Sequence, residues 1–421
     1  MTDYQKALDK LFALHTFGVK LGLDNIKSFM NYLGNPQLKL KTIHIAGSNG
    51  KGSTAAFIAS ILQECKYKVG LYTSPHFVKF NERITINGIQ ISDEYVVDFI
   101  DKHKKFIDDY QLTFFEVTTA MAFQYFSDLN VDYAVIETGL GGRLDATNVL
   151  NPLACVITSI SLEHTNVLGD KIELIAFEKG EIIKKGTNVF IGKLPSEAEL
   201  VIEKKSKLTN SQLYKIEDYT QEKGDLVELY TEEVELIDWI IPLHGNYQKY
   251  NAALAGLTVT KTIQLDDHGV IERGIKNVIV NTGIQGRYEY FQRDPTILLD
   301  SAHNPEGIHA FVKEFSKEVN QYNKKVLLFG AMRDKAISDM LSMLIPVFDE
   351  ILITKMNYER SADIQEITVI AENLGAKVNV CHNPVKCVGE FMNGDKKNCL
   401  VVLGSMYLLG EIKFGLTKGN T

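Results

Sequence analysis

The sequence predicts an α/β protein in two parts. A P-loop-type domain with a mostly parallel sheet is expected over residues 1–290, and a smaller α/β domain over 291–421. Short apolar, β-branched runs alternate with segments of helical spacing, the order that yields a parallel sheet. A glycine-rich loop, "GSNGKGS", joins one such run to one such segment. The alternation pauses at "NTGIQGRYEYFQRDP", where glycines and polar residues suggest a linker, and then resumes.

In chain order, residues 2–15 and 23–33 have helical spacing, and Gly34-Asn35-Pro36 stops the second. "KTIHIAG" reads as a strand entering the glycine loop, and "STAAFIASILQECKY" as an alanine-rich helix leaving it. "KVGLYTSP" is the next strand, halted by Pro75. Residues 93–109 and 115–129 read as helices, and "VDYAVIETG" and "LACVITSIS" as buried strands. Residues 196–240 are more charged and alternate in "DLVELYTEEVEL", which predicts a hairpin-bearing excursion; 247–262 is helical again. Past the linker, "TILLDSAHNPEGIHAFVKEF", "KKVLLFGAM", "EILITKM" and "CLVVLGSMYLLGEI" repeat the strand–helix pattern.

Composition narrows the class. The 421 residues are 45% hydrophobic and 23% charged, as in a water-soluble globular chain. No apolar run approaches the roughly 18 residues of a membrane span. The first residues, MTDYQKALDK, lack a signal-peptide apolar stretch, which predicts a cytoplasmic protein. Five scattered cysteines without a C-x-x-C pair argue for a reducing compartment and against zinc. A net charge of −8 argues against a nucleic-acid surface.

The glycine loop departs from the common template G-x-x-x-x-G-K-[ST]. Gly50 and Lys51 are in place, but Ile45 stands where the first glycine belongs and Gly52 follows the lysine. Its strand–loop–helix context is nonetheless that of a phosphate site. Helix N-terminal N–H groups attract an anion, glycines let backbone approach it, and Lys51 adds charge. A ligand-free βα turn is the plainer alternative.

The spacing G-x-x-G-K-G-S, Gly47 to Ser53, resembles the ATP loop of the Mur ligase superfamily. "HIAGSNGKGS" is most similar to that of folylpolyglutamate synthases and dihydrofolate synthases. Further blocks follow in that family's order: "GLYTSPHFVKFNERITING", "TFFEVTTAMAFQYF", "IETGLGGRLDATNV", "ITSISLEHTNVLGDKIELIAFEKGEIIKKG", "LHGNYQKYNAALA", "GRYEY", "LLDSAHNPEG" and "LGSMYLLGEI". The resemblance implies an ATP-dependent ligase that adds L-glutamate to a reduced folate, or to dihydropteroate, with Mg2+, through an acyl phosphate. It implies a monomer that binds small molecules, with no nucleic-acid or membrane partner.

Carried over residue by residue, the resemblance places Asn49, Gly50, Lys51, Gly52, Ser53, Asn251, Arg287, Asp300 and His303 at ATP. Phe115, Glu116, Arg143, Leu144 and Asp145 fall at the folate. Ser74, Glu137 and His164 fall at the metal, with Lys179 as a carbamate; Lys51, Lys179 and His164 are the catalytic set. Glu137 ends an apolar strand, where a carboxylate needs a partner. Ordinary roles exist for each: a loop histidine for His164, an unmodified amine on phosphate or paired with Glu178 for Lys179, a helix-start aromatic for one of Phe114 and Phe115. Two positions depart from the family pattern: Glu163 replaces an Asp, and Gly180-Glu181 replaces Ala-Gly. A cell-wall Mur ligase would need a further N-terminal domain, for which the 46 residues before the loop leave no room. A non-ligating nucleotide switch would not need "DSAHNP" or "GSMYLLG".

Overall fold

The computed structural model describes residues 2–14, 22–223, 226–230, 235–236 and 241–418. Residue 15 of the first expected helix, and parts of the excursion before residue 241, lie outside that set. The chain forms two compact units: Met1–Pro75 with Asn81–Pro242 and Gln248–Gly283, and His76–Phe80 with Leu243–Tyr247 and Ile284–Thr421.

The first unit opens with α1 (Asp3–Ala13) and α2 (Asp24–Tyr32), then β1 (Thr42–Ala46), α3 (Lys51–Glu64), β2 (Val69–Tyr72), β3 (Ile84–Ile86) and β4 (Ile89–Gln90). It continues with α4 (Asp93–Asp109), α5 (Phe114–Asp128), β5 (Tyr133–Glu137), β6 (Ala154–Ile157), α6 (Thr165–Leu168), α7 (Ile172–Gly180), β7 (Asn188–Ile191), α8 (Ser196–Leu208) and β8 (Leu213–Lys215). These strands make one sheet in the order β4-β3-β2-β5-β1-β6-β7-β8. It is parallel from β2 to β8, with β3 and β4 as an antiparallel edge. Strands buried on both faces read as continuous apolar runs, which is why "TIHIA" and "ACVI" show no alternation.

α3 packs on β1, β2 and β5 and is covered by α10 (His268–Lys276) and α11 (Val278–Thr282). Ser53 to Leu62 are therefore all buried, and the helix is apolar all round rather than on one stripe. A Cβ on Gly274 would lie 2.5 Å from Ile61 Cα, so only glycine lets α10 approach this closely.

The excursion over 196–240 bears the expected antiparallel pairing, with further elements before it. It begins with α8 and adds β8 to the main sheet. Only then comes a three-stranded antiparallel sheet of β9 (Thr220–Lys223), β10 (Leu226–Tyr230) and β11 (Glu235–Leu236). The buried apolar positions of α8, Ala198 and Ile202, are few among charges, which hid its helical stripe. The long helix α9 (Asn246–Ile263) follows.

The second unit contains β12 (Glu289–Arg293), β13 (Thr296–Leu299), α12 (Pro305–Phe315), β14 (Lys324–Phe329), α13 (Ile337–Leu344), β15 (Glu350–Ile353), α14 (Ile364–Asn373), β16 (Asn379–Val380), α15 (Pro384–Phe391), β17 (Asn398–Leu403) and α16 (Met406–Lys418). Its sheet runs β12-β13-β17-β14-β15-β16, parallel except for β12. Strand alternation splits its core in two. Leu298, Leu327, Phe329, Val401 and Leu403 line one face; Ile297, Leu299, Val326, Leu328, Leu400 and Val402 line the other. Part of the expected linker is thus a strand: "EYFQR" is an edge strand with a bulge between Tyr290 and Gln292.

Candidate active site

β1 is followed along the chain by β2, which lies toward one edge of the sheet, whereas β6 lies on the opposite side of β1. Ligands of open α/β sheets gather at such a reversal, beyond the carboxyl ends of the strands. Here that position holds the loop after β1 and the segment after β6. The two are laced together. Ser48 N donates to Ser159 O at 2.8 Å, and Asn49 N donates to Ser159 Oγ at 2.9 Å. Thr158 Oγ1 donates to Asn49 O at 2.6 Å, and Ser161 N donates to Ser48 Oγ at 3.0 Å. A Cβ on Gly47 would sit 1.9 Å from Thr158 Oγ1, so this contact admits only glycine. Gly50 caps α3 at φ 83°, where a Cβ would meet Asn251 Oδ1 at 2.6 Å. Asn251, held by Gln248 at 3.0 Å, therefore stands against the loop. Gly52 and Ser53 form the first turn of α3, and Ser53 is buried.

Two lysines converge on one loop carbonyl. Lys51 Nζ donates to Gly47 O at 2.8 Å and to Ser48 O at 3.2 Å, and Lys179 Nζ donates to Gly47 O at 2.9 Å. Lys179 is 1% exposed and also pairs with Glu163 at 2.9 Å. Its carboxylate partner is thus Glu163, not Glu178. Burial pushes the Lys179 amine below the usual lysine range; Glu163 opposes this and Lys51 adds to it. Burial alone would raise the Glu163 pKa, but Lys179 and Lys51 outweigh it and hold the carboxyl well below its usual range. Of the pair, the carboxylate is the firmer charge.

Glu137, 4% exposed at the end of β5, accepts from Ser74 N at 3.0 Å. His164 adopts φ 47° as the N-cap of α6, one residue after Glu163. The "GLGGRLDATN" loop follows β5. Asp145 is buried and accepts from Gly139 N (2.9 Å), Leu140 N (2.8 Å), Thr147 N (3.0 Å) and Thr147 Oγ1 (2.5 Å). Burial raises its pKa against these hydrogen bonds. Arg143 pairs with Glu178 at 2.9 Å and is 42% exposed at its side chain; Leu144 is half-buried beside it. Glu116 forms a capping box with Thr113 at the start of α5. Phe114 is buried, whereas Phe115 is half-buried and packs on Gly139, whose Cβ would meet the ring at 2.4 Å. The carboxylates of Asp145 and Glu116 are thus committed to backbone, while Arg143, Leu144 and Phe115 keep surface for a ligand.

Arg287, Asp300 and His303 lie in the second unit. Asp300, buried just past β13, accepts from Tyr288 N at 2.7 Å and Ala302 N at 2.8 Å. Burial raises its pKa; burial, and after it Asp300, raises that of Tyr247. His303 Nδ1 lies 2.9 Å from Ser301 O, a carbonyl that can only accept, so that nitrogen carries a proton. Arg287 Nη1 donates weakly to Gly286 O at 3.4 Å.

Two family models match the chain: the Mur ligase middle domain over residues 45–259, and the Mur ligase glutamate ligase domain over 286–406. The dihydrofolate synthase/folylpolyglutamate synthase of Bacillus subtilis is 34% identical over 98% of this chain and 99% of its own. The chain belongs to the folylpolyglutamate synthase/dihydrofolate synthase family. Folylpolyglutamate synthase from Thermotoga maritima superposes with a TM-score of 0.85 at 33% identity, covering 99% of this chain and 98% of that one. The bifunctional folylpolyglutamate synthase/dihydrofolate synthase of Yersinia pestis, solved with Mn, AMPPNP and L-glutamate, gives 0.86 at 26% identity, with 98% of each chain covered.

As members of this family are, the chain is an ATP-dependent ligase. Of the residues expected at a metal, Glu137 presents a buried carboxylate that accepts from Ser74 N, and His164 stands at the start of α6. Among the described residues no three His, Cys, Asp or Glu side chains close into a metal cage. Sequence reasoning missed Thr158 and Ser159, which shape the loop of this folylpolyglutamate synthase relative, and Glu163 as the lysine's partner. The hydroxyl run "TSIS" just past a strand was the available signal.

Proposed function

We propose that the chain joins L-glutamate to a folate, or to dihydropteroate, with conversion of ATP to ADP and phosphate. The observation that carries this reading is the convergence of Lys51 and Lys179 on Gly47 at the N-terminus of α3. The Lys51 charge and the helix N-terminus there suit the outer phosphates of ATP. The folate carboxylate attacks the γ-phosphorus, giving an acyl phosphate and ADP. The glutamate amine then attacks the acyl carbon, forms the amide and expels phosphate. Such transfers depend on positioning and charge neutralisation more than on covalent help from the protein.

Lys51 would bind the outer phosphates, with Asn49, Gly50, Gly52, Ser53 and Asn251 around the nucleotide. The family resemblance also assigns Arg287, Asp300 and His303 to ATP. Phe115, Arg143 and Leu144 would hold the folate, with Glu116 and Asp145 fixing their backbone. Ser74, Glu137 and His164 would hold a divalent cation, which when bound supplies charge neutralisation at the phosphates. We read Lys179 as the carbamate. Its depressed pKa favours the neutral amine that adds to carbon dioxide. The resulting anion could serve a second magnesium ion. We read the protein as a cytoplasmic monomer acting on small molecules; no helix of the described residues is long and apolar enough to cross a membrane.

A substrate panel tests the function. Dihydropteroate, dihydrofolate and methylene-tetrahydrofolate are each supplied with ATP, magnesium and glutamate. Phosphate release should require both the pteridine and glutamate, and the product should gain one glutamyl mass. Release that ignores both substrates would refute the ligase reading. Light scattering after gel filtration tests the monomer.

A further inference from the structure

His44 interrupts the apolar centre of β1 and is fully buried between β5 and β6. Its Nε2 lies 2.8 Å from Thr147 Oγ1, which is also fully buried. Thr147 Oγ1 lies 2.5 Å from Asp145 Oδ1, the oxygen that also takes the Thr147 N–H. The other Asp145 oxygen takes the N–H groups of Gly139 and Leu140. Four donors thus point at one carboxylate. A hydroxyl has a single proton, and Asp145 receives it. The Thr147 oxygen must then accept from His44, which fixes His44 as the Nε2–H tautomer. Its Nδ1, buried and without a hydrogen-bond partner, is consistent with that assignment.

Near its tip the loop is also anchored at Arg143, whose N donates to Glu178 O at 2.7 Å, whose guanidinium pairs with Glu178 at 2.9 Å and whose carbonyl accepts from Asn148 Nδ2 at 3.0 Å. Its two ends, 139–140 and 145–147, meet at Asp145. We propose that His44 and Thr147 are positioning residues: the relay His44–Thr147–Asp145 fastens the 139–147 loop to β1 and so sets Arg143 and Leu144 for the pteridine substrate. β1 ends at Ala46 and leads directly into Gly47, three residues beyond His44, so one element holds both the nucleotide loop and the substrate loop. The proposal rests on the reading of 143–144 as substrate contacts.

Isosteric pairs test it. Thr147→Val removes the hydroxyl and Thr147→Ser keeps it; His44→Leu removes the donor and His44→Gln can replace the Nε2–H. We expect Thr147→Val and His44→Leu to raise KM for dihydropteroate about tenfold, as loss of a hydrogen bond to a charged network implies. KM for ATP and kcat should stay within about twofold, and Thr147→Ser and His44→Gln should behave as the parent. Hydrogen exchange is read on the same samples. The amides of Gly139, Leu140 and Thr147 should exchange faster in Thr147→Val, and exchange in α3 should be unchanged, which shows that the variant is folded. Parental exchange at those amides overturns the relay. Faster exchange with a parental dihydropteroate KM keeps the relay and overturns the substrate role of the loop. Equal rises in both KM values reduce the relay to general stability and overturn the positioning role.

Discussion

Lys51 and Lys179 share the Gly47 carbonyl yet serve different ends, and substitution should separate them. Lys51→Ala removes charge from the outer phosphates. Loss of one such contact costs about 3–4 kcal/mol, a several-hundred-fold fall in kcat. The fold should survive, because this side chain is only half-buried; circular dichroism beside turnover checks both. Lys179→Ala should be nearly inactive and partly restored by acetate, which can occupy the vacated anion position. Lys179→Arg should not respond to acetate, since it keeps the cation and fills the space. Intact mass of active enzyme showing unmodified Lys179 would end the carbamate reading. Alanine at Glu137 or His164 should shift the magnesium titration of activity to higher concentration; curves that overlay the parent would remove them as ligands.

At the scale of elements, the chain was legible where one local rule sufficed. The glycine loop, its strand and its helix stand where "TIHIA" and "KGSTAAFIASIL" put them. Glu137 could be placed because it ends an apolar strand. The partner of Lys179 could not be read this way. Adjacent Glu178 points elsewhere on α7, since neighbouring helix positions diverge by about 100°, and it meets Arg143 instead. Glu163 comes from a loop whose path no periodicity describes. Asp145 and Glu116 resembled free acids in sequence, but each is consumed by a turn or a cap. The edge strand β12 was missed because its polar, aromatic composition fits a surface strand and a linker equally well. The cap itself is testable. Thr113→Ala should destabilise the first unit by about 1 kcal/mol in urea titrations, with activity falling only as far as Phe115 moves.

For the molecule as a whole, buried polar groups tie stability to pH. Burial, reinforced by Lys184, lowers the His44 pKa to about 3, whereas the unfolded chain titrates near 6.5. Below about pH 6.5 the unfolded state takes up a proton that the fold refuses. Stability should therefore fall with falling pH, by up to about 1.4 kcal/mol per pH unit, until the folded pKa is reached. Chemical denaturation between pH 7 and 4 should show a slope shallower by up to one proton in His44→Gln than in the parent. Parallel slopes would mean that His44 is protonated within the fold. The two-unit architecture was visible in sequence only as a repeated alternation. The membership of residues 76–80 and 243–247 in the second unit depends on contacts distant in sequence.

The loop of glycines is only half of its own specification. A methyl group at Gly47 collides with Thr158 Oγ1, a residue that arrives on a different strand. In genetic language the two positions behave as one locus. Gly47→Ala should abolish complementation in a host that depends on this enzyme. A second-site screen should then recover small residues at position 158 ahead of changes elsewhere, since these vacate the oxygen the methyl strikes. The same logic predicts that an inherited change of Gly47 is tolerated only where position 158 has become smaller as well.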